Sequence, residues 1–295
     1  MTLSDATRLG PTHLTVTDLD RSLAFYQDAL GLRVHRHADG EAALGSGGDD
    51  VLVLVEQPGA RPAGRHAGLY HVALLYPSRL ELAYALERIV RTQTPIEGMS
   101  DHGTHEAIYL PDPDGNGLEL AADRPRSEWP DLQRYGAGPR PLDAQDLYAL
   151  VDAPARFVGP GLAVGHLHLH VGDVDAARAF YRDVIGFDVT MEMPTAVFLS
   201  AGGYHHHVAA NVWRGRGVPP APDDAVGLRH WTVLVDGDLE AVRGRASSYE
   251  ERDGGLLVRD PSGNAILLKP GRSAKRSPSR DEHAPAKPVA RMERP

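Results

Sequence analysis

One pattern of residues occurs twice in this chain at identical spacing, and it limits the folds open to the sequence. The first copy begins with His13 and Asp18, and the second begins with His168 and Asp173. Each copy continues into a Phe-Tyr pair and a glycine: Phe25, Tyr26 and Gly31 in the first, Phe180, Tyr181 and Gly186 in the second. A repeat of this length means that one supersecondary unit is built more than once along the chain.

Each copy also contains a second strand-like segment with a histidine, followed later by a closing turn. The histidines are His71 and His230, and the turns are Asp-Pro-Asp-Gly-Asn at 112–116 and Asp-Pro-Ser-Gly-Asn at 260–264. Proline and glycine at these positions favour tight turns. We therefore divide each copy into two units, each predicted to run strand, helix and three strands (βαβββ). The sequence predicts an α+β protein with four such units.

The helix of the first unit carries local signals at both ends. Asp18 or Asp20 can cap its N-terminus. Leu23 and Tyr26 are three residues apart and share one face, which is typical of a helix packed on a core. Gly31 is expected to end the helix, because glycine tolerates the left-handed conformation.

The four units suggest a division of the chain into two domains. We expect residues 9–122 to form an N-terminal domain with a metal site and residues 162–270 to form a C-terminal domain with a degenerate site. Residues 123–161 are rich in proline, charge and glycine and are predicted to be a linker with a short helix. Residues 271–295 have almost no apolar side chains and are predicted to be a disordered tail.

Composition excludes several classes of function. The chain has 295 residues and no cysteine, so it has no disulfide, thiolate metal site or cysteine nucleophile. No apolar run approaches the roughly 18 residues that a membrane span needs. A formal net charge of -9 argues against binding to nucleic acid. With no visible secretory signal, we expect a cytoplasmic protein that acts on a small molecule.

The two copies differ at a position that matters for chemistry. Glu119 lies three residues after the first closing turn, where the second copy has Leu267. Only the first copy therefore combines two strand histidines, His13 and His71, with a carboxylate. Imidazole and carboxylate groups are common ligands of divalent metals. These three residues therefore mark the place where we expect the chemistry.

These residues and motifs resemble the vicinal oxygen chelate superfamily, which includes glyoxalases, antibiotic-resistance proteins and extradiol dioxygenases. The resemblance implies two domains, each a cupped mixed sheet with outer helices, built from paired units. It also implies a metal bound by the first strand of each unit and the last strand of the second, which again selects His13, His71 and Glu119. The sequence Ser-Ala-Gly-Gly-Tyr-His-His-His at 200–207 most resembles the bacterial catechol 2,3-dioxygenase-like branch.

This branch implies an Fe(II)-dependent extradiol dioxygenase that cleaves a catechol-type ring with O2. Two histidines and one carboxylate leave three adjacent coordination positions open, which suits non-haem Fe(II) oxygenases; Mn(II) or another divalent metal is the alternative. Tyr109 lies ten residues before Glu119, as an active-site tyrosine does in extradiol enzymes. We expect Tyr109 and His102 to act as proton donors and acceptors in catalysis, and His105 is the next candidate for this role.

Two other functions remain open at this point. In the first, Glu56 is a fourth ligand, as in glyoxalase-type members, and the protein is a metal-dependent lyase or isomerase that uses Ni(II), Zn(II), Mn(II) or Co(II). In the second, the protein is a metal-free binding or resistance protein for a flat aromatic molecule. The partner in the favoured case is a small aromatic diol. A homo-oligomer is a further expectation, since exposed sheet edges pair readily.

The second copy supplies further histidines that the favoured function does not use. His168 and His230 correspond to His13 and His71, and His207 ends the run of three. They are candidates for a second metal site with an unusual ligand set, for a separate pocket, or for a structural role. The structural or secondary-site role is preferred.

Overall fold

The computed structural model describes residues 2–131, 138–237 and 239–271. The predicted disordered tail lies outside the described residues, apart from Gly271. No helix in the described parts of the chain is both long enough and apolar enough to cross a membrane.

The predicted order of strand, helix and three strands is present in all four units. Unit 1 consists of β1 (Arg8–Val16), α1 (Leu19–Asp28), β2 (Arg33–Ala38), β3 (Glu41–Gly45) and β4 (Asp50–Glu56). Unit 2 consists of β5 (Gly68–Leu75), α2 (Arg79–Arg91), β6 (Gly98–Asp101), β7 (His105–Pro111) and β8 (Gly117–Asp123). The connecting segment contains a 3-10 turn (Arg126–Glu128), β9 (Arg140–Pro141) and α3 (Ala144–Tyr148).

The second half of the chain repeats this order. Unit 3 consists of β10 (Ala163–His170), α4 (Val174–Ala179) continued by a wider π turn (Phe180–Ile185), β11 (Asp188–Met193), β12 (Ala196–Ser200) and β13 (Val208–Asn211). Unit 4 consists of β14 (Gly227–Val235), α5 (Glu240–Arg243), β15 (Glu250–Arg252), β16 (Gly255–Arg259) and β17 (Ala265–Pro270). The predicted α+β fold with four βαβββ units is confirmed.

The first helix forms as its sequence predicts. Asp18 is the N-cap, and its side chain accepts a hydrogen bond of 2.9 Å from the backbone N–H of Arg21. Leu23 and Tyr26 are buried on the inner face. Gly31, with a φ of 74°, turns the chain towards β2. A Cβ at this position would lie 2.7 Å from the Arg88 side chain, so both the backbone angle and the close packing require glycine.

The units pair differently from the expectation that each half of the chain forms one domain. An eight-stranded sheet has the order β15-β16-β17-β14-β1-β4-β3-β2, so it combines units 1 and 4. A nine-stranded sheet has the order β11-β12-β13-β10-β5-β8-β7-β6-β9, so it combines units 2 and 3. The antiparallel pairs β1–β14 and β5–β10 join the units at the centre of each sheet.

The two closing turns are fixed by buried aspartates. Asp112 Oδ2 accepts hydrogen bonds from the Tyr26 hydroxyl at 3.1 Å and from the Asn116 amide at 2.9 Å. Asp112 Oδ1 accepts from the backbone N–H groups of Asp114 and Asn116. Asp260 repeats this arrangement with Tyr181, Ser262 and Asn264. The tyrosine of each Phe-Tyr pair therefore ties a helix to the turn of the next unit.

We expect Asp112→Ala to lower the free energy of unfolding by about 3 kcal/mol, because it leaves several buried donors without an acceptor. Tyr26→Phe removes only one of these hydrogen bonds and should cost about 1 kcal/mol. Urea denaturation followed by circular dichroism measures both. Equal effects of the two substitutions would show that the turn does not depend on the carboxylate.

Candidate metal centre

A buried carboxylate surrounded by imidazoles lies in the nine-stranded sheet. Glu119, on β8, is 1% exposed. Its Oε2 lies 3.0 Å from the Nε2 atom of His71 and 3.0 Å from the Nε2 atom of His166. Its Oε1 lies 3.0 Å from the Nε2 atom of His105. Three rings from three different strands thus converge on one side chain.

Strand register explains this convergence. Ala73 on β5 pairs with Glu119 on the parallel strand β8 and with His166 on the antiparallel strand β10. His71 lies two residues before Ala73 and therefore points to the same face of the sheet. Ala73 is fully buried and small, so it leaves room for the three longer side chains around it.

The protonation states at this centre suit a divalent cation. Burial alone raises the pKa of the Glu119 carboxyl, but the charge of His166 and hydrogen bonds from the histidines outweigh it and hold that pKa well below its usual value. Burial lowers the pKa of His166, and the Glu119 charge only partly offsets this. An ionised carboxylate and a neutral imidazole are the forms that bind a metal.

The donor set and its packing fit such an ion. One ligand atom from each of His71, Glu119 and His166 lies within 4.8 Å of the other two, and all three residues are buried. A buried carboxylate is costly unless a positive charge or donors compensate it. A divalent metal held by these three residues would supply that charge.

The sequence contains a signal that identifies His166, which the prediction passed over in favour of His13 and His168. His71 lies seven residues before Ser78, the N-cap of α2. His166 lies seven residues before Asp173, the N-cap of α4. Counting back from the helix caps therefore aligns these two histidines as the equivalent positions of units 2 and 3.

The predicted ligand His13 is not part of this centre. It lies five residues before the N-cap Asp18, and the position seven residues before that cap is Pro11, which has no ligand atom. His13 belongs to the eight-stranded sheet, where its ring stacks on His230 with centroids 3.9 Å apart. The structure brings His71 and Glu119 together, with His166 in the place expected for His13.

Glu56 also lies in the eight-stranded sheet, at the end of β4. Its Oε1 accepts a hydrogen bond of 2.8 Å from the backbone N–H of Leu19, at the start of α1. Glu56 is therefore not a fourth ligand beside Glu119, and its carboxylate supports the helix terminus instead.

The other histidines proposed for a second site are dispersed. His168 is buried two residues beyond His166, and its Nε2 has no hydrogen-bond partner among the described residues. His207 Nδ1 accepts a hydrogen bond of 3.1 Å from the backbone N–H of Ala201. His230 stacks on His13 in the other sheet. The structure does not gather His168, His207 and His230 into one site.

The predicted proton-handling residues do lie beside Glu119. Tyr109 on β7 is the register partner of Glu119. Its hydroxyl shares a hydrogen bond of 2.8 Å with His102 Nε2. The His102 ring stacks on His105 with centroids 4.5 Å apart. Burial lowers the pKa of His102 to about 4 and raises the pKa of Tyr109, so both groups are neutral at physiological pH.

Two members of the histidine run reach the centre as well. The His205 ring stacks on His105 at 4.6 Å, and its Nε2 lies 3.3 Å from the carboxylate of Asp123. The His206 ring lies 4.1 Å from the ring of His166. The run therefore contributes to the surroundings of Glu119 through its first two residues, a contribution that the prediction did not include.

Exposed aromatic rings border the same region. Tyr70 is 40% exposed and Trp213 is 49% exposed, and their rings meet edge to face at 5.3 Å. Tyr70 lies 4.8 Å from the His71 ring, and Trp213 lies 4.9 Å from the His168 ring. The two aromatic side chains link the metal-ligand region to the protein surface.

Comparison with known proteins shows which superfamily the chain belongs to. The profile of the Glyoxalase/Bleomycin resistance protein/Dioxygenase superfamily matches residues 8–120 and 163–268. The chain belongs to this superfamily. Within it, the chain is 40% identical over 280 residues to the catechol-2,3-dioxygenase of Bacillus subtilis strain 168, which covers 90% of this chain and 98% of that protein. The predicted resemblance to this superfamily is confirmed.

Two solved structures share the fold at lower identity. Glyoxalase I from Zea mays has a TM-score of 0.59 at 17% identity, with 90% of this chain and 92% of that chain covered. A putative dioxygenase from Bacillus subtilis has a TM-score of 0.60 at 16% identity, with 90% of this chain and 86% of that chain covered. At these identities the likeness establishes the fold of the superfamily and not an activity.

Proposed function

We propose that this protein is an extradiol dioxygenase whose divalent metal, Fe(II), is bound by His71, Glu119 and His166. The observation that carries the proposal is the position of both histidine Nε2 atoms at 3.0 Å from one oxygen of a buried glutamate. Two imidazoles and one carboxylate are the ligand set of non-haem Fe(II) oxygenases. The high identity to a catechol-2,3-dioxygenase over nearly the whole chain supports the same activity.

The number of ligands favours a dioxygenase over a glyoxalase-type lyase. In unit 2, Glu119 pairs with the residue two positions after the ligand His71. In unit 3, the residue two positions after His166 is His168, and its partner on the parallel strand β13 is Ala209. A fourth carboxylate ligand would have to occupy position 209, where alanine offers no oxygen. Three protein ligands leave room for both oxygens of a catechol and for O2.

When bound, the ion supplies Lewis acidity for the two catechol oxygens and a path for electron density between the ring and O2. The side chains around it control ligand orientation and protons. His105 holds the Oε1 atom of Glu119, which leaves Oε2 directed towards His71 and His166. This contact fixes the carboxylate in one orientation, as a hydrogen bond to a ligating carboxylate commonly does.

His102 and Tyr109 are the proposed proton carriers. The neutral imidazole of His102 accepts a proton from the second catechol hydroxyl, and it is oriented by its hydrogen bond of 2.8 Å with the Tyr109 hydroxyl. The same group then returns the proton during ring cleavage, as a general base and acid. Burial, which lowers the pKa of His102 to about 4, keeps it in the accepting form before the substrate binds.

The aromatic border suits a flat ring as substrate. Tyr70 and Trp213 present their rings at right angles, so a planar molecule that enters the site can stack on one ring and meet the edge of the other. The substrate class proposed is therefore a catechol with both hydroxyl groups free.

We expect the protein, purified without air and loaded with Fe(II), to consume one O2 for each catechol cleaved and to form a yellow ring-opened product. Veratrole, in which both hydroxyls are methylated, should give no uptake, because its oxygens cannot ionise. An oxygen electrode and absorbance spectroscopy measure the two signals. Isomerisation of a hemithioacetal without any oxygen uptake, by protein that contains the metal, would overturn the dioxygenase in favour of the glyoxalase-type function.

A further inference from the structure

The eight-stranded sheet lines a cavity whose wall also includes Gly68, Leu69 and Asn116 of unit 2, but none of the proposed metal ligands. Its volume is about 810 Å³, which lies within the range of small-molecule pockets. His13 and His230 line it, as neighbours across the pair of strands β1 and β14. Their rings stack at 3.9 Å with an interplanar angle of 23°.

The donor set of this cavity does not suit a metal. The positions that correspond to the two ligand histidines are Pro11 in unit 1 and His230 in unit 4. Glu119 pairs with the residue two positions after His71. The residues two positions after Pro11 and His230 are His13 and Thr232, and they pair with Val53 and Leu267. Only His230 could serve as a ligand. At the positions equivalent to the proposed metal ligands, the eight-stranded sheet therefore has one histidine and no carboxylate.

Arginines supply charge to the cavity that the protein itself does not neutralise. Arg214, Arg229 and Arg259 all line it. Their guanidinium groups donate to neutral oxygens: the hydroxyl of Thr15 at 3.4 Å from Arg229, and the carbonyls of His66 and Gly263 from the other two. Within the described parts of the chain, no carboxylate forms a salt bridge with any of the three.

The cationic charge is concentrated near His230. The largest charge effects on His230 come from basic side chains: Arg252, Arg229, Lys269 and Arg259. The acidic residues that line the cavity are Glu41, Asp114, Asp223 and Asp253: Asp114 is paired with Arg21 at 2.6 Å, and the charge of Asp253 acts on His13, which stacks on His230. One end of the cavity is thus suited to an anion.

The same end contains a polar atom that lacks a partner. His230 is 8% exposed, and its Nε2 is buried without a hydrogen bond to any described residue. A buried polar atom in this state destabilises the protein unless a ligand supplies the missing partner. The arginines that line the cavity call for a ligand with hydrogen-bonding oxygens and negative charge.

We propose that this cavity is a second binding site, for a small aromatic carboxylate. Arg229 and Arg259 hold the carboxylate group at the His230 end, and the ring of the ligand packs on the stacked imidazoles of His13 and His230. This function is separate from the dioxygenase reaction, because none of the four residues lies in the sheet that carries Glu119.

The test is isothermal titration calorimetry of the full-length, metal-loaded protein with benzoate. Benzoate should bind, whereas benzamide, which lacks the charge, and acetate, which lacks the ring, should each bind at least about tenfold more weakly. Arg229→Gln and Arg259→Gln should each weaken benzoate binding by at least about tenfold, and Arg229→Lys should weaken it less because the charge remains. Arg8→Gln, on the same strand as His13 but outside the cavity, is the matched control and should bind as the original protein does.

Glu119→Gln separates this site from the metal centre. Benzoate binding that survives Glu119→Gln and is lost in the two arginine variants supports the second site, whatever the outcome of the oxygen-uptake experiment. Binding that is lost in Glu119→Gln and unchanged in the arginine variants would place benzoate at the metal centre and overturn the proposal. Absence of benzoate binding, or equal binding of acetate, would also overturn it. Thermal melts of each variant establish that it is folded before titration.

Discussion

Replacing His166 with alanine should lower kcat/KM for catechol by about 10³-fold or more, which corresponds to about 4 kcal/mol of lost transition-state stabilisation. The reason is that His166 supplies one of the three proposed ligands, and its Nε2 lies 3.0 Å from Glu119 Oε2. Removing one ligand weakens metal binding and frees the carboxylate from its fixed position. Metal content after dialysis should fall together with the activity.

His13→Ala is the matched control for this experiment. Both histidines lie on the first strand of a unit, but His13 belongs to the eight-stranded sheet and stacks on His230. We expect His13→Ala to retain its metal and to keep kcat/KM within about threefold of the original value, as for a residue that touches neither metal nor substrate. The opposite result, with activity lost in His13→Ala and kept in His166→Ala, would place the metal in the other sheet.

Mild acid should unfold this protein, because many of its histidines are buried in the neutral form. Burial lowers the pKa of His13 to about 3 and the pKa values of His102, His170, His207 and His230 to about 4. In the unfolded chain these groups titrate near about 6.5. Between these values the unfolded state binds more protons than the folded state, so stability falls as pH falls.

The size of the effect follows from the number of groups. Each histidine contributes up to about 1.4 kcal/mol per pH unit below about pH 6.5, and the five together contribute about 7 kcal/mol per pH unit. A folded domain is stable by about 5–15 kcal/mol, so one to two pH units should suffice to unfold it. Asp112, Asp123 and Asp260 act in the opposite sense, since burial raises their pKa values, but the histidines outnumber them.

Urea denaturation at about pH 7.5 and about pH 5.5, with EDTA present so that metal release does not contribute, measures this dependence. His170→Gln combined with His230→Gln should reduce the slope of stability against pH by about two-ninths, because burial lowers the pKa of nine histidines in all and two of them are removed. His37→Gln, on the exposed strand β2, should leave the slope unchanged. Equal stability at both pH values would refute the assignment of neutral buried histidines.

The sequence is sufficient to predict the units but not how they pair. Caps such as Asp18 and turns such as that at 112–116 are local signals, and each forms as predicted. Which two units share a sheet depends on contacts between segments far apart in the chain. The backbone N–H of Arg61 donates to the carbonyl of Asp224 at 3.0 Å, and Val226 N–H donates to the carbonyl of Arg61 at 2.9 Å. Because all four units present similar buried strands, no periodicity distinguishes one pairing from another.

For the candidate site as well, some residues could be predicted from the sequence repeat and one could not. Glu119, His71 and Tyr109 follow from the repeat and from the family resemblance, and the structure brings them together. His13 was selected because it matches His168 in the repeat, although His166 is the histidine that reaches Glu119. A shift of two residues keeps a side chain on the same face of a strand, so alternation alone could not separate these positions. The number of residues to the helix N-cap does separate them: it is seven for His71 and His166 and five for His13.

The order of strands also determines when each sheet can be completed as the chain is synthesised. All nine strands of the sheet that carries Glu119 lie between Gly68 and Asn211, in one uninterrupted stretch. The other sheet joins β1–β4, made first, to β14–β17, made last. A nascent chain therefore possesses every strand around the metal ligands while its first four strands still lack their partners on the ribosome. The proposed metal centre thus lies in one continuous segment of the sequence, and the two flanking segments pair with each other in the other sheet.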